Sequence, residues 1–238
     1  MKLTNTERKL IDDLVLHYKE NQHKLQTFLD QIRPVLVNSP ILARHIHSFK
    51  WRLKDPEHLR EKLVRKTFDQ KKSGKQLRLT KANLFLKVND LVGIRILHLH
   101  TRQVADIDRI LRDLLEEGRF KIIEGPFART WDDETKAFFD TLKIETQGSP
   151  SMYTSVHYVI DSNSRSRFTA ELQVRTLAEE LWGEVTHVID YPQPCSSLAC
   201  KEQIRVLARV SSSCTRLVDS IFSSYDDHCK NSKPRKKN

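Results

Sequence analysis

Residues 170–176, with the sequence AELQVRT, alternate strictly between small or apolar and polar side chains, and this stretch constrains the fold more than any other. In an extended strand, residues two apart share a face, so one face would enter a core and the other would carry an acid, an amide and a guanidinium. A solvated face of an antiparallel sheet is the simple explanation for an isolated strand of this kind. The alternative is that the polar face lines a site. The apolar face consists of Ala170, Leu172 and Val174, and the polar face of Glu171, Gln173 and Arg175.

Three earlier segments also have the composition of strands. Residues 47–54 alternate apolar and basic side chains, which predicts a strand with one strongly cationic face. Residues 88–100 form a rich apolar run with β-branched residues, which indicates a buried strand that begins at Asp90. Residues 151–161 would form a hairpin with residues 170–176 through a short loop. The polar faces of the first and third of these segments consist of Lys50, Arg52 and Lys54, and of Tyr153, Ser155 and His157.

Five segments have apolar residues at helical spacing. Their approximate ranges are 6–37, 56–68, 104–117, 177–189 and 198–222. Thr6 is a candidate cap for the first helix, and Pro34 predicts a break or kink late in it. A further short strand is expected near residues 120–124. This order predicts an α+β fold, in which a mixed β-sheet of about five strands is flanked by helices, with helical additions at both ends.

The remaining segments are harder to assign. Residues 70–81 have few large apolar side chains and predict a mobile loop, and residues 126–150 predict only a partly ordered insertion. We expect an N-terminal helical segment at 1–40, a sheet domain at 41–192, a C-terminal helical segment at 193–228 and a basic disordered tail at 229–238. The apolar stripe of the last helix could contact a second copy of the chain or close the core, and we favour closure. The stripe consists of Leu198, Ile204, Leu207, Val210, Leu217, Val218 and Ile221.

The positive charge of the chain is concentrated in one region. The formal net charge is +10, and between Lys50 and Lys87 there are thirteen Lys or Arg residues against four Asp or Glu residues, a local balance of +9. A field of this strength concentrates polyanions such as nucleotides or RNA.

The compartment follows from other features. No run of 18 apolar residues exists and the N-terminus has no apolar signal core, so we expect a cytoplasmic protein without a membrane partner. The four cysteines match no zinc spacing, and we expect free thiols.

Phosphate binding must fall on side chains, because the sequence contains neither a GxxxxGK[ST] loop nor a GxGxxG loop. If the strands are neighbours, Asp90 and Glu171 meet a row of cations and the ring of Tyr153 in one cleft. Two carboxylates can hold Mg²⁺, cations can fix phosphates, and a tyrosine ring can stack on a base. Taken singly, Asp90 could merely cap a turn, Tyr153 could be an ordinary sheet tyrosine, and His157 could be a satisfied interior histidine.

Four motifs in this order resemble those of the RelA/SpoT-type (p)ppGpp synthetase domain: HSFKWRLKDPEHLREKL, VNDLVGIRI, YTSVHYVI and AELQVRTLAEELWGEVTH. The resemblance covers about residues 45–190. It implies a fold related to nucleotidyltransferases and a small synthesis-only enzyme, since no His-Asp dipeptide of the hydrolase domain occurs. The implied reaction transfers pyrophosphate from ATP to the 3′-hydroxyl of GDP or GTP, with Mg²⁺ as cofactor.

The resemblance also implies a role for each matching residue. Asp90 and Glu171 would be the catalytic carboxylates, Asp90 as a metal ligand and Glu171 as either a metal ligand or the base that activates the 3′-hydroxyl. Tyr153 would stack on the acceptor base. The implied ATP-binding residues are Arg52, Lys54, Lys62 and Arg95, and the implied acceptor-binding residues are Tyr153, Ser155, His157, Gln173 and Arg175.

One departure from the family pattern leaves the acceptor open. The family commonly has a Pro-Lys-x-Asn-Gly type of loop before the tyrosine, whereas this chain reads GSPSMY, with Met152 in place of glycine and no lysine nearby. An enzyme that pyrophosphorylates the tRNA 3′ end or an adenine nucleotide is therefore an alternative. A further alternative is a non-catalytic nucleotide- or RNA-binding module, against which the retained Asp90 and Glu171 argue.

Overall fold

Six strands form one sheet in the computed structural model, which describes residues 2–149, 152–190 and 195–231. The strands are β1 (Ser48–Leu53), β2 (Val92–His98), β3 (Lys121–Thr130), β4 (Glu145–Gly148), β5 (Ser155–Asp161) and β6 (Thr169–Thr176). Their order across the sheet is β1-β2-β6-β5-β3-β4. The pairs β2–β6 and β3–β4 are parallel, and the other three are antiparallel. The predicted mixed sheet is thus confirmed.

Eight helices flank the sheet within the described residues. They are α1 (Asn5–Val37), α2 (Pro40–Ala43), α3 (Pro56–Lys72), α4 (Leu84–Lys87), α5 (Gln103–Glu117), α6 (Asp133–Thr141), α7 (Leu177–Asp190) and α8 (Leu198–Asn231). A single 3-10 turn, Asn89–Leu91, leads directly into β2. The helical additions predicted at both ends of the chain are α1 and α8.

The start and the end of α1 differ from the prediction. Thr4, and not Thr6, caps the helix: its hydroxyl accepts a hydrogen bond from the Glu7 N–H, and the Glu7 carboxylate accepts one from the Thr4 N–H. The helix also continues through Pro34 to Val37, and Asn38 donates its N–H to the Pro34 carbonyl. The helix is therefore not broken at this proline, and a kink there stays a prediction.

Residues 126–150 are more regular than the prediction of a partly ordered insertion. They supply the end of β3, all of α6 and the edge strand β4, so the sheet has six strands and not about five. Asp132 caps α6 by accepting hydrogen bonds from the Glu134 and Thr135 N–H groups. Pro150 and Ser151, in the loop that departs from the family pattern, lie outside the described residues.

The loop predicted at 70–81 begins later than expected. Helix α3 runs to Lys72, where Lys71 and Lys72 place positive charge in its last turn. The short helix α4 follows at Leu84. The remaining residues between the two helices have only turns and irregular structure.

The apolar stripe of α8 does not close the core, contrary to our expectation. Leu198 is 73% exposed and Leu217 63% exposed, and Val210 and Ile221 are also exposed. The face that α8 buries consists instead of Ala208, Ser211, Ser212 and Thr215. Small and hydroxyl-bearing side chains let the helix approach its neighbours closely, and of the stripe only Ile204, Leu207 and Val218 are half-buried. A contact between this stripe and a second copy of the chain stays a prediction.

Two smaller expectations also have an outcome. All four cysteines are free thiols. No helix among the described residues has the length and apolar character needed to cross a membrane.

Gly125 lies where the pairing of β3 with β5 shifts its register. Its φ is +87°, and a Cβ at this position would lie 2.3 Å from the carbonyl oxygen of His157. We expect Gly125→Ala to lower the free energy of unfolding by about 3 kcal/mol, because the left-handed backbone and the collision both penalise a side chain. Denaturant unfolding measures the loss.

Gly148→Ala is the matched control for this substitution. A Cβ on Gly148 would meet nothing within 4 Å, so we expect little change in stability. Equal losses in the two variants would show that the position of Gly125 is not special.

Candidate active site

One face of the sheet collects the polar residues that the alternating strands predicted. In the sheet register, Arg52 lies opposite Gly93, and Gly93 lies opposite Glu171. Gln173 lies opposite Arg95 on one side and His157 on the other. Residues opposite each other across paired strands share a face, so these side chains meet because the strands are neighbours and in this register. The opposite face packs apolar residues against α1 and α5.

This polar face lines a cleft with two lobes. The larger lobe, of about 530 Å³, contains Tyr153 and Asp90, and we call it the Tyr153 lobe. The smaller lobe, of about 330 Å³, lies against β1, and we call it the β1 lobe. The residues shared by both lobes are Arg52, Arg95, Glu171, Gln173 and His187.

Most of the residues predicted for the site line this cleft. The Tyr153 lobe brings together Arg52, Lys62, Asp90, Arg95, Tyr153, His157, Glu171, Gln173 and Arg175. Two predicted residues do not line it. Lys54 reaches it only through an ion pair with Asp90, and Ser155 lies behind His157.

Asp90 sits on the 3-10 turn before β2, held by two lysines. Its Oδ2 atom is 2.9 Å from the Lys54 ammonium, and its Oδ1 atom is 2.6 Å from the Lys62 ammonium. Burial acts to raise the pKa of Asp90, but the charges of Lys62 and Lys54 outweigh it and lower the pKa to about 2. Asp90 is therefore a carboxylate at neutral pH, in contact with cations from β1's end and from α3.

Glu171 belongs to a hydrogen-bonded row of three side chains. The Glu171 Oε1 atom is 3.1 Å from His157 Nδ1, and His157 Nε2 is 2.7 Å from the Ser155 hydroxyl. Ser155 and His157 are each only 2% exposed, and the Phe127 ring stacks on the imidazole with centroids 5.3 Å apart. Burial acts to raise the pKa of Glu171, but the hydrogen bond and charge of His157 and the charge of Lys62 together outweigh it and lower the pKa. This row holds the Glu171 carboxylate in one orientation.

Tyr153 is anchored on the same face. Its hydroxyl donates to Gln173 Oε1 at 3.0 Å and accepts from Arg175 Nη1 at 3.2 Å. The Arg175 guanidinium lies 5.5 Å from the ring centroid, and the Trp182 ring lies 5.9 Å from it. The ring is thus held by partners on β6 and α7 beside Glu171.

Helix α7 supplies two carboxylates that sequence reasoning did not assign. Glu180 is buried and contacts three cations, Lys50 at 2.6 Å, Arg95 at 3.1 Å and Arg175. Glu184, one turn further on, contacts Arg95 at 2.5 Å and Lys50 at 3.5 Å. Part of the signal was present in the sequence, because residues four apart on a helix share a face and α7 follows β6 without a loop. Neither feature indicates whether that face covers the sheet or faces solvent.

Several cations of the cleft have no acidic partner among the described residues. Lys66 and Lys87 line the Tyr153 lobe together with Arg52 and Arg129, and none of the four forms an ion pair with a described carboxylate. Burial and the charge of Lys62 lower the pKa of Lys66. Such a surplus of positive charge is suited to phosphate groups. Of these four residues, only Arg52 carries a signal in the sequence that predicts a place in the site.

A separate cavity of about 390 Å³ lies at the other end of β6. It contains Glu179, which is 5% exposed and accepts a hydrogen bond from the Thr154 N–H at 3.3 Å. Burial raises the pKa of Glu179 to about 7, although the Thr154 N–H and the Arg175 charge act in the opposite direction. This carboxyl group is consequently about half protonated near neutral pH.

The donor set of the cleft fits Mg²⁺. Asp90 and Glu171 are two oxygen donors that face one cavity, and the lowered pKa of each keeps it ionised. Within residues 2–149, 152–190 and 195–231, no cluster of three or more His, Cys, Asp or Glu side chains could hold a metal. Mg²⁺ is commonly bound through one or two carboxylates, with substrate phosphates and waters completing the shell, so two carboxylates suffice.

Comparison with solved structures gives the fold of the chain. A GTP pyrophosphokinase family protein from Streptococcus pneumoniae is 21% identical, with a TM-score of 0.57 over 95% of this chain and 97% of that chain. The small alarmone synthetase 1 from Bacillus subtilis bound to its product pppGpp is 17% identical, with a TM-score of 0.54 over 90% of this chain and 97% of that one. The same synthetase bound to AMPCPP is 16% identical, with a TM-score of 0.55 over 91% and 98%.

The sequence comparisons identify the family. A search of curated protein sequences finds no match. The family profile described as a region found in RelA / SpoT proteins matches residues 51–195, which is more than half of the chain and contains Asp90, Tyr153 and Glu171. The chain therefore belongs to the RelA/SpoT family.

Proposed function

We propose that the protein is a Mg²⁺-dependent GTP pyrophosphokinase, which transfers the β,γ-pyrophosphate of ATP to the 3′-hydroxyl of GDP or GTP to make (p)ppGpp. The observation that supports this most is the two-lobed cleft, in which Asp90 and Glu171 share one cavity with a surplus of cations. A pyrophosphate transfer needs two adjacent nucleotide sites with phosphate-binding groups between them. The cleft has room for both.

The donor phosphates would contact the cations of β1, α3 and β2. Arg52 and Arg95 line both lobes and Lys62 lines the Tyr153 lobe, so a triphosphate could reach all three. Lys54 would act through Asp90, whose carboxylate it contacts at 2.9 Å. Mg²⁺ would be held by Asp90 and the donor phosphates, with Glu171 facing the same cavity, and it would supply charge neutralisation of the phosphate oxygens.

Glu171 would also accept the proton of the attacking hydroxyl. The acceptor 3′-oxygen forms a bond to the β-phosphorus of ATP, the bond from that phosphorus to the α-phosphate oxygen breaks, and AMP leaves with the electron pair. The proton passes to the Glu171 carboxylate, which His157 holds in place. The lowered pKa of Glu171 keeps it ready to accept the proton at neutral pH.

The acceptor would lie against Tyr153. Gln173 and Arg175 hold the tyrosine hydroxyl, which leaves the ring as the stacking surface for a base. Ser155 and His157 are buried, and this favours a role behind Glu171 over direct contact with the acceptor.

Labelled transfer tests this function. The purified protein is incubated with Mg²⁺, γ-³²P-ATP and a pool of GDP, GTP, unlabelled ATP and tRNA, and we expect the label in ppGpp or pppGpp. No labelled guanine nucleotide under any condition would refute the proposal. Nucleotide binding that is equal in the wild type and in Asp90→Asn, with no turnover in either, would support a non-catalytic binding module.

A second candidate acceptor, the tRNA 3′ end, is favoured by a basic cavity next to the cleft. This cavity, of about 910 Å³, is lined by Lys66, Lys75, Arg78 and Lys87, and Lys66 and Lys87 also line the Tyr153 lobe. None of the four forms an ion pair with a described carboxylate. Asp69 also lines this cavity, but the four cations outnumber it, and a surplus of positive charge suits a phosphodiester backbone. Label in tRNA and not in guanine nucleotides would favour this candidate, and label in an adenine product would favour an adenine acceptor.

A further inference from the structure

Tyr153 lies in irregular backbone, just before the first residue of β5. Residues 152–154 form neither helix nor strand, so they lie outside the hydrogen-bond ladder of the sheet. Met152 has a φ of +59°, a left-handed conformation in which a residue other than glycine is strained. A segment of this kind keeps its conformation only where its surroundings hold it.

Two side chains hold the backbone at Tyr153. The Tyr153 N–H donates to the Ser149 hydroxyl at 3.1 Å, and the Thr154 N–H donates to Glu179 Oε2 at 3.3 Å. One bond thus lies at the tyrosine itself and the other at the residue that follows it. The position from which the tyrosine ring starts is set by these two contacts.

Glu179 is itself fixed by the start of α7. Its N–H donates to the Thr176 hydroxyl at 3.2 Å in the first turn of this helix, and its side chain is buried. Consecutive residues on a helix point about 100° apart. Glu180 therefore turns toward the cations of the cleft, while Glu179 faces the separate cavity of about 390 Å³. The Glu179 side chain reaches Thr154 from outside the Tyr153 lobe.

We propose that Glu179 is a positioning residue for the acceptor, because it holds the backbone beside Tyr153 and so sets where the tyrosine ring meets the acceptor base. This inference rests on the proposed function, which places the acceptor against Tyr153. Glu179 lines the separate cavity and not the Tyr153 lobe, so it acts through Thr154 and not through contact with a substrate.

The far end of the tyrosine has an anchor that does not depend on Glu179. The Arg175 guanidinium pairs with Glu180 and donates to the Tyr153 hydroxyl at 3.2 Å. Loss of the contact with Thr154 should therefore displace the backbone of Tyr153 while its hydroxyl stays held. The ring would tilt and not leave the cleft, so acceptor binding should be weakened and not abolished.

The hydrogen bond with Thr154 does not require a particular charge on Glu179. Burial raises the pKa of this carboxyl group to about 7, but the ionised and the protonated forms both have an oxygen that can accept an N–H. A glutamine at this position keeps one such oxygen, whereas an alanine or a methionine keeps none. These substitutions therefore separate the positioning role from the charge of the side chain.

Glu179→Ala should weaken acceptor binding and leave donor binding intact. With saturating ATP and Mg²⁺, we expect the KM for GDP to rise roughly 5- to 10-fold, which corresponds to the loss of one hydrogen bond. The kcat and the Kd for AMPCPP should both stay within about 2-fold of the wild type. The same rise in KM is expected in Glu179→Met, whose side chain fills the site without an oxygen. Glu179→Gln should restore the KM for GDP.

Glu7→Ala is the matched control, because the Glu7 carboxylate also accepts a backbone N–H, that of Thr4 at 2.7 Å, at the start of α1 outside the cleft. It should leave the KM for GDP unchanged. A purely structural role of Glu179 would only reduce the fraction of active protein, and this lowers the apparent kcat without a change in KM.

An unchanged KM for GDP in Glu179→Ala and Glu179→Met, with or without a lower kcat, overturns this inference and leaves the proposed function standing. An equal rise in KM in Glu179→Gln overturns it as well, because the amide retains an oxygen for the Thr154 N–H. A wild type that forms no guanine product overturns the proposed function and this inference with it.

Discussion

Replacement of Glu171 by glutamine is expected to lower turnover by about three orders of magnitude, while the Kd for AMPCPP changes by less than about 3-fold. A glutamine amide cannot accept the proton of the attacking hydroxyl, and removal of a general base of this kind commonly costs 10²- to 10⁴-fold. The effect should fall on kcat because the lost interaction belongs to the transition state.

Glu171→Gln should remove the charge of this side chain without disturbing its surroundings. The glutamine carbonyl oxygen can still accept from His157 Nδ1, now 3.1 Å from Glu171 Oε1, so the row of Ser155, His157 and residue 171 is preserved. The amide has nearly the same volume as the carboxylate. Loss of turnover therefore cannot be attributed to a displaced strand.

Initial rates of labelled (p)ppGpp formation and calorimetric titration with AMPCPP measure the two quantities. Glu145→Gln is the control, since Glu145 is an exposed residue on the edge strand β4, outside the cleft. Near-normal turnover in Glu171→Gln would contradict the role of Glu171. A fall in turnover that is matched by an equal fall in affinity would indicate that Glu171 chiefly holds the metal and nucleotide.

The strand patterns predicted which side chains face the site. Alternation decides which residues of a strand share a face, and this does not depend on which strands lie beside it. Once β6 lies between β2 and β5, Glu171 must share a face with Arg95 and His157, whatever the loops do. The order of the strands was not contained in the alternation. The short loop between β5 and β6 predicted that these two strands pair, as they do, but the resemblance to the family was needed to expect β2 beside them.

The contacts of the α7 carboxylates could not be predicted from the strands alone. Glu180 and Glu184 share a helix face, but whether this face covers the sheet or faces solvent depends on the packing of α7 against α8. In the structure the Trp182 indole donates to the Ile204 carbonyl of α8, which turns the glutamates toward the cations of the sheet. Long-range packing of this kind leaves no local signal in the sequence.

For the last helix, α8, a local signal was present in the sequence but led to a wrong prediction. Its apolar stripe at helical spacing indicated a buried face, because large apolar residues usually mark the core side of a helix. The side that is buried uses small residues such as Ala208 and Ser212, whose hydroxyl donates to Asp132 at 2.8 Å. Periodicity reports that a helix has two faces, but close packing decides which of them is inside.

Replacement of Glu179 by glutamine is expected to stabilise the protein at alkaline pH and to leave its stability nearly unchanged near pH 4. The pKa of Glu179 is raised from 4.5 to about 7 by burial. The folded protein therefore holds a proton that the unfolded chain has lost, and this contribution to stability is complete below pH 4.5. This contribution declines as the pH rises from 4.5 to 7 and is lost above pH 7. The glutamine variant cannot lose this proton.

The stability difference between variant and wild type should grow to about 3 kcal/mol by pH 8, since each pKa unit corresponds to about 1.4 kcal/mol. Denaturant unfolding at pH 4, 6 and 8 measures the difference. The groups that face Glu179, the Arg175 guanidinium, the Thr154 N–H and Asp132, are present in both proteins, so their own titration cancels. Glu145→Gln removes a carboxylate from an exposed site and should show no such growth with pH. A constant difference between pH 4 and pH 8 would mean that Glu179 is not the group whose ionisation destabilises the fold.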